Sequence, residues 1–262
     1  MDQKNSATKT TRRYPQKDVK LLFGLSAGRC AFPDCKISCI AEGTELDDAS
    51  VLGKIAHIIA HSDNGPRADP NLSMKKRDCY DNWILLCPTH HDLIDSQANT
   101  YTVEDIKQWK QEHENWVRSN LSQAITSVTF VELESVTNFI INNAEPEKNV
   151  IDNFKPTAIT DKLAKNNLTK DIDLYLKIGL SLTTQVQQYI ENTSKLDFSF
   201  PERLKSGFIR EYEALLHKGF TGDELFIAIL DFASSNTIDF KRKAAALGVI
   251  AFLFVNCDLF EP

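Results

Sequence analysis

The sequence predicts an α+β chain: a small, metal-stapled mixed domain followed by an all-α helical domain. Three observations predict it. Five of the six cysteines fall between Cys30 and Cys87, and four of the six histidines (His57, His61, His90, His91) fall with them. Residues 28–100 are rich in Cys, His, Gly, Pro, Asp and Asn. They hold only short apolar runs, so they bury little core and need a cross-link. Beyond residue 157 the apolar residues recur mostly at helical spacing. With 262 residues, 42% apolar and 25% charged, the composition excludes a wholly disordered chain, a coiled coil and a collagen-like fibre. A net charge of −6 excludes a broad basic coat for nucleic acid.

In chain order, residues 1–15 read as a flexible basic tail. Residues 1–20 carry a net charge of +4, enough for a mobile arm to touch phosphate or to remain a solvated tail. The N-terminus has no apolar core, so no secretory signal is expected. The run Ala244 to Val255 is interrupted by Gly248 and is too short to cross a bilayer. A cytoplasmic protein with reduced thiols is the expectation. Gln16 to Ala27 fits a short helix. Val51–Ala60 and Trp83–Leu86 read as strands. Thr102 and Asp105 stand at reciprocal capping positions before a helix carrying Val103, Ile106, Trp109, His113, Trp116 and Val117 on one stripe. This gives a mixed domain over 16–120.

Residues 121–156 read as a connecting helix and linker, with two prolines between 144 and 157. The helical domain spans 157–262. Leu168–Tyr189 alternates in part like a strand, but its length and polar content favour one helix. Pro201 opens the next helix and Gly219 closes it. Thr221 and Glu224 predict a capping box for Gly222–Ala233. Phe240–Val255 is the last helix.

Cys30 and Cys35 stand four residues apart in a Pro-containing turn, and Cys87 and His90 two apart after a strand. Each pair can close one edge of a tetrahedron, and together they make a Cys₃His shell suited to structural zinc. The thiolates bind as anions, and such a shell contributes folding free energy where the core is thin. Cys35 and Cys87 are separated by 51 residues, room for an insert between the two halves. Cys39 and Cys79 are left as small buried hydrophobes or free thiols. His91 and Asp95 are four apart, so on a helix they share a face and can hold one divalent cation with open positions.

His57, Asn82 and His91, in this order, resemble the His-Asn-His (HNH) motif of ββα-metal endonucleases. The likeness extends over the stretches CAFPDC, GKIAHIIAHSDNGPR, YDNWILLCPTHHDLID and YTVEDIKQWKQEHENWV, about residues 20–118. The resemblance implies a zinc-stapled ββα-metal fold that hydrolyses phosphodiesters in DNA. His57 would be the general base, Asn82 the residue that fixes the His57 loop, and His91 with Asp95 the ligands of a catalytic Mg²⁺ or Mn²⁺. Arg67, Lys75, Lys76 and Arg77 would anchor neighbouring phosphates. The chain departs from the family pattern immediately before the base, where Ala56 stands in place of an acidic or histidine metal ligand, with Lys54 two residues earlier. His61 is read as a loop residue, with a metal role as the competing reading.

The stretch PERLKSGFIREYEALLHKGFTGDELFIAILDF, with the tail AAALGVIAFLFVNCDLFEP, resembles the C-terminal domain of effectors of bacterial ABC-three-component conflict systems. That implies antiviral defence, with an ABC ATPase and a middle component as partners. A helical dimerisation domain is the competing reading. Two other functions compete with a DNA endonuclease: a non-catalytic zinc-stabilised DNA-binding or adaptor protein, and an RNA nuclease.

Overall fold

The structure, a computed structural model, describes residues 12–143 and 159–256. The first eleven residues of the basic tail, most of the Pro-containing linker and the C-terminal tail with Cys257 lie outside the described residues. The chain divides into two compact units, residues 1–113 and 114–262. The architecture is α+β: short strands in the first unit, helices in the second.

The first unit opens with α1 (Gln16–Leu25) and two short antiparallel pairs. β1 (Ile40–Ala41) pairs with β2 (Ser50–Val51), and β3 (Lys54–His57) pairs with β4 (Trp83–Leu86). The second ladder aligns Lys54 with Leu86 and His57 with Trp83. Between its strands lie α2 (Met74–Arg77) and a 3₁₀ turn (Tyr80–Asn82); after it come α3 (Pro88–Ser96) and α4 (Val103–Ile125), which runs across the unit boundary. Every residue of β4 is buried, which explains an apolar run without alternation. Around β4 gather Leu22, Cys30, Ala31, Cys39, Ala56, Ile58, Ile94 and Ile106. Thr102 and Asp105 form the reciprocal box at the start of α4: the Thr102 amide donates to Asp105 and the Asp105 amide to Thr102 Oγ1.

The single strand expected over Val51–Ala60 is divided. The amides of Leu52 and Gly53 both donate to the Cys39 carbonyl, at 2.8 and 2.9 Å, and turn the chain between β2 and β3. A Cβ on Gly53 would lie 2.5 Å from Cys39 Cβ, so only glycine fits beside that buried cysteine. Past His57 the chain leaves the ladder and is held by Asn82 instead.

The second unit contains α5 (Phe130–Asn143), α6 (Ile159–Lys165), α7 (Lys170–Leu180), α8 (Thr183–Ser194), α9 (Phe200–His217), α10 (Gly222–Ala233) and α11 (Phe240–Asn256). α5 falls in the stretch read as a connection, yet it is a core helix. It packs on α9 and α11 and buries Leu133, Val136, Thr137 and Ile140. The helix expected over Leu168–Tyr189 is two helices, α7 and α8, broken at Ser181 and Leu182. Leu182 lies against Gly248 of α11, so the break seats a core side chain. Thr221 is the residue before α10, but its side chain makes no capping hydrogen bond. Asp223 accepts from the amide and hydroxyl of Thr169, tying the start of α10 to the start of α7. The buried Lys243 ammonium pairs with Asp231 at 2.9 Å, joining α10 to α11. Among the described residues no single helix is long and apolar enough to cross a membrane.

Two stability predictions follow from burial. α7 approaches α11 at Gly179, where a Cβ would lie 2.5 Å from the Leu247 carbonyl oxygen. Gly179→Val should destabilise the helical unit by about 2 kcal/mol through overpacking, a fall of roughly 4–8 °C in its thermal midpoint. In the first unit, burial pulls His113 down to about 4, although its Nε2 faces the Ser26 carbonyl at 3.1 Å. The folded value lies below the ordinary 6.5, so this contribution is complete above pH 6.5 and is lost as pH falls toward 4. Urea titrations should show a loss of about 3 kcal/mol over that window, and His113→Gln should flatten the slope.

Candidate active site

The Cys₃His shell assembles as spaced. The ligand atoms of Cys30, Cys35, Cys87 and His90 all lie within 4.8 Å of one another. His90 Nδ1 is 3.2 Å from Cys87 Sγ and 3.6 Å from Cys30 Sγ. Zinc with sulfur at about 2.3 Å and nitrogen at about 2.0–2.1 Å has tetrahedral edges of roughly 3.5–3.8 Å, so these residues fit the ion. Burial pushes the Cys30 thiol far up, so a thiolate there needs a divalent cation beside it. Phe32, inside the cysteine turn, stacks on the His90 ring at 3.9 Å and within 1° of parallel, and Trp109 of α4 meets Phe32 edge-on. The ring is thereby held with Nδ1 toward the thiols. Cys39 packs under Gly53, and the Cys79 thiol donates to the Lys76 carbonyl.

Asn82 ends the 3₁₀ turn and clamps the chain just after β3. Its side-chain oxygen accepts from the Ile59 amide at 2.9 Å, and its nitrogen donates to the Ile59 carbonyl at 2.8 Å and to the Arg77 carbonyl at 3.0 Å. All three bonds form on a buried amide, so the residue between His57 and His61 is fixed on both sides.

His57 does not meet His91 or Asp95. Lys54 of β3 reaches Asp92 of α3 at 2.9 Å, and side chains alternate along a strand, so His57 points to the other face. There its ring meets Tyr14 and Trp83, with centroids 6.1 Å away in both cases. His57 Nε2 lies 3.1 Å from Asp78 Oδ1, and His61 Nδ1 lies 3.0 Å from the same oxygen. These three side chains are 8%, 9% and 5% exposed for His57, Asp78 and His61. Burial lowers the His57 pKa, more than Asp78 raises it, so the ring is neutral near pH 7. Burial would raise Asp78, but hydrogen bonds from the Arg13 amide, His57 and His61 outweigh it and hold the carboxylate below its usual range.

The sequence-expected cation pair on α3 is otherwise engaged. Asp95 receives the Arg67 guanidinium at 2.8 Å, and His91 Nδ1 sits 3.1 Å from Asp92. Two expected phosphate anchors also turn inward. Arg67 donates to the carbonyls of Ile58 and Ile94, and Arg77 to those of Leu72, His61 and Asp69 as well as pairing with Asp63. Both guanidiniums are buried because a long irregular loop leaves carbonyls that no strand satisfies. Lys75 and Lys76 of α2 face solvent. Among the described residues the metal-competent groups are the Cys₃His shell and the cluster His57, His61 and Asp78. Asp78 was not singled out from the sequence. Its signal was an acid four residues before Asn82, in a turn that returns to β3.

Residues 35–98 match the family model of the HNH endonucleases. By that match this segment is a domain of the HNH endonuclease type. It contains β1 to α3, His57, Asn82, Asp78 and three of the four zinc-shell residues, while Cys30 precedes it. No curated protein matches the chain.

Cys87→Ala should remove about one equivalent of zinc per chain. It should also abolish the near-ultraviolet dichroism of Trp83 and Trp109, while the far-ultraviolet helical signal of the second unit persists.

Proposed function

We propose that the first unit is a metal-dependent endonuclease that hydrolyses phosphodiester bonds in DNA. The carrying observation is the Asn82 clamp on Ile59, which fixes the backbone beside a buried neutral imidazole within the HNH segment. Hydrolysis needs a water aimed at phosphorus and charge neutralisation on the phosphoryl oxygens. A divalent cation supplies Lewis acidity for that step. His57 supplies a lone pair at the centre of the site, Asn82 positions it, and Lys75 and Lys76 offer ammonium groups to adjacent phosphates. The overall negative charge assigns DNA affinity to such local contacts and not to a broad basic surface.

We further propose that the helical unit regulates the nuclease as part of a defence system with an ABC ATPase and a middle component. Its support is the resemblance of residues 201–262, whose tail lies outside the described residues. The second unit contributes no metal-competent group among the described residues.

Supercoiled plasmid with Mn²⁺ or Mg²⁺ tests the enzyme reading. Wild-type protein should nick or linearise it, EDTA should stop it, and His57→Ala should lose at least about 100-fold in rate. Cutting that survives His57→Ala would contradict the assignment. Binding to DNA without cutting would make the protein an adaptor, and cutting only of labelled RNA in a parallel assay would make it an RNA nuclease.

A further inference from the structure

We propose that the segment before α1 is a phosphate clamp of the nuclease site: Tyr14 pins it beside His57, and Arg12 and Arg13 grip the DNA backbone next to the bond that is cut. This rests on the nuclease reading for the use of the bound DNA, though not for its binding. The segment is held at three points. The Arg13 amide donates to Asp78 Oδ2 at 2.9 Å. The Tyr14 ring lies 5.4 Å from that of Trp83 and 6.1 Å from that of His57, between centroids. Past Pro15, Asp18 of α1 accepts from the Tyr80 amide at 3.0 Å. Asp78 and Tyr80 lie two residues apart, so the turn that carries Asn82 also carries this segment. Pro15, at φ −54°, stiffens it and restricts Tyr14 to extended backbone.

This fixed backbone presents charge. Arg12 and Arg13 are exposed, and among the described residues neither guanidinium has an ion-pair partner. Arg67 and Arg77 of the same unit are instead turned inward and each binds a carboxylate. The Arg12 charge reaches the His57 ring, where it opposes protonation. A guanidinium that acts on that ring stands within reach of a phosphate placed before it. The guanidinium fork matches phosphate oxygens two at a time. Tyr14 stays 42% exposed although it packs on two rings, so it is a peg under the segment and not a core residue. Pinning the backbone beforehand removes the ordering cost that a mobile arm meets on binding.

The probe is a short fluorescein-labelled DNA duplex, titrated with full-length zinc-loaded protein without added Mg²⁺ or Mn²⁺, so that binding is read apart from cutting. Anisotropy is followed across a salt series. Arg12→Gln/Arg13→Gln should weaken binding at least about tenfold and make the slope of log K against log salt shallower by about 2, close to 0.9 per phosphate contact. Arg12→Lys/Arg13→Lys should keep the slope. Tyr14→Ala removes no charge, yet it should make the slope shallower by freeing the segment, and Tyr14→Phe should not. Zinc should stay at about one per chain in every variant, which guards against loss of fold. Absence of duplex binding by the wild type would overturn the clamp. An unchanged slope in Arg12→Gln/Arg13→Gln, with plasmid still cut by the wild type, would overturn it and leave the nuclease reading standing. An unchanged slope in Tyr14→Ala would overturn Tyr14 as the pin. A slope that falls as expected, with no cleavage of plasmid or RNA by the wild type, would defeat the nuclease reading and leave the clamp standing.

Discussion

The first unit depends on a single cross-link between two distant turns. Cys30 and Cys35 lie in one, and Cys87 and His90 at the junction of β4 with α3. Closing that link fixes the C-terminal end of β4, whose four residues are the centre of a thin core. β4 then presents Asn82 at its start, Asn82 clamps Ile59, and the clamp sets the directions of His57 and His61. The 51 residues between the two halves of the shell would be a costly loop to order without it. The stack of Phe32 on His90, backed by Trp109, gives the ligand ring one orientation and ties α4 to the same point.

Charge inside the loop is used for construction. Arg67 and Arg77 gather the carbonyls of a segment that has almost no ladder of its own, and each also binds a carboxylate. Groups that look in the sequence like phosphate anchors therefore hold the site together from within. Asp78 does the same from the acidic side, joining the segment before α1 to the two histidines through its two oxygens. Of the four basic residues in this segment, Lys75 and Lys76 alone face solvent.

Local signals were legible where one residue type decides the structure. The cysteine spacing announced the shell, the apolar run Trp83–Leu86 announced the strand β4, and Thr102 with Asp105 announced the start of α4. Asn82 was readable through the resemblance to the HNH motif, which implies a residue that fixes the His57 loop. What escaped was set by tertiary contact. Gly53 beside Cys39 cuts one predicted strand into two, Leu182 against Gly248 cuts one predicted helix, and α5 is a core helix because α9 and α11 cover it. The pairing of His57 with Asp78 depended on the parity of β3, which puts Lys54 and His57 on opposite faces. An i, i+4 spacing of His91 and Asp95 carried no information about Arg67, which reaches Asp95 from 28 positions away.

The most direct test of this dependence is the zinc X-ray absorption spectrum of the purified full-length protein. A shell of three sulfurs at about 2.3 Å and one nitrogen at about 2.0–2.1 Å is the predicted result. A shell of two sulfurs and two nitrogens, or one of nitrogen and oxygen only, would contradict the cross-link from which the rest of the site is built.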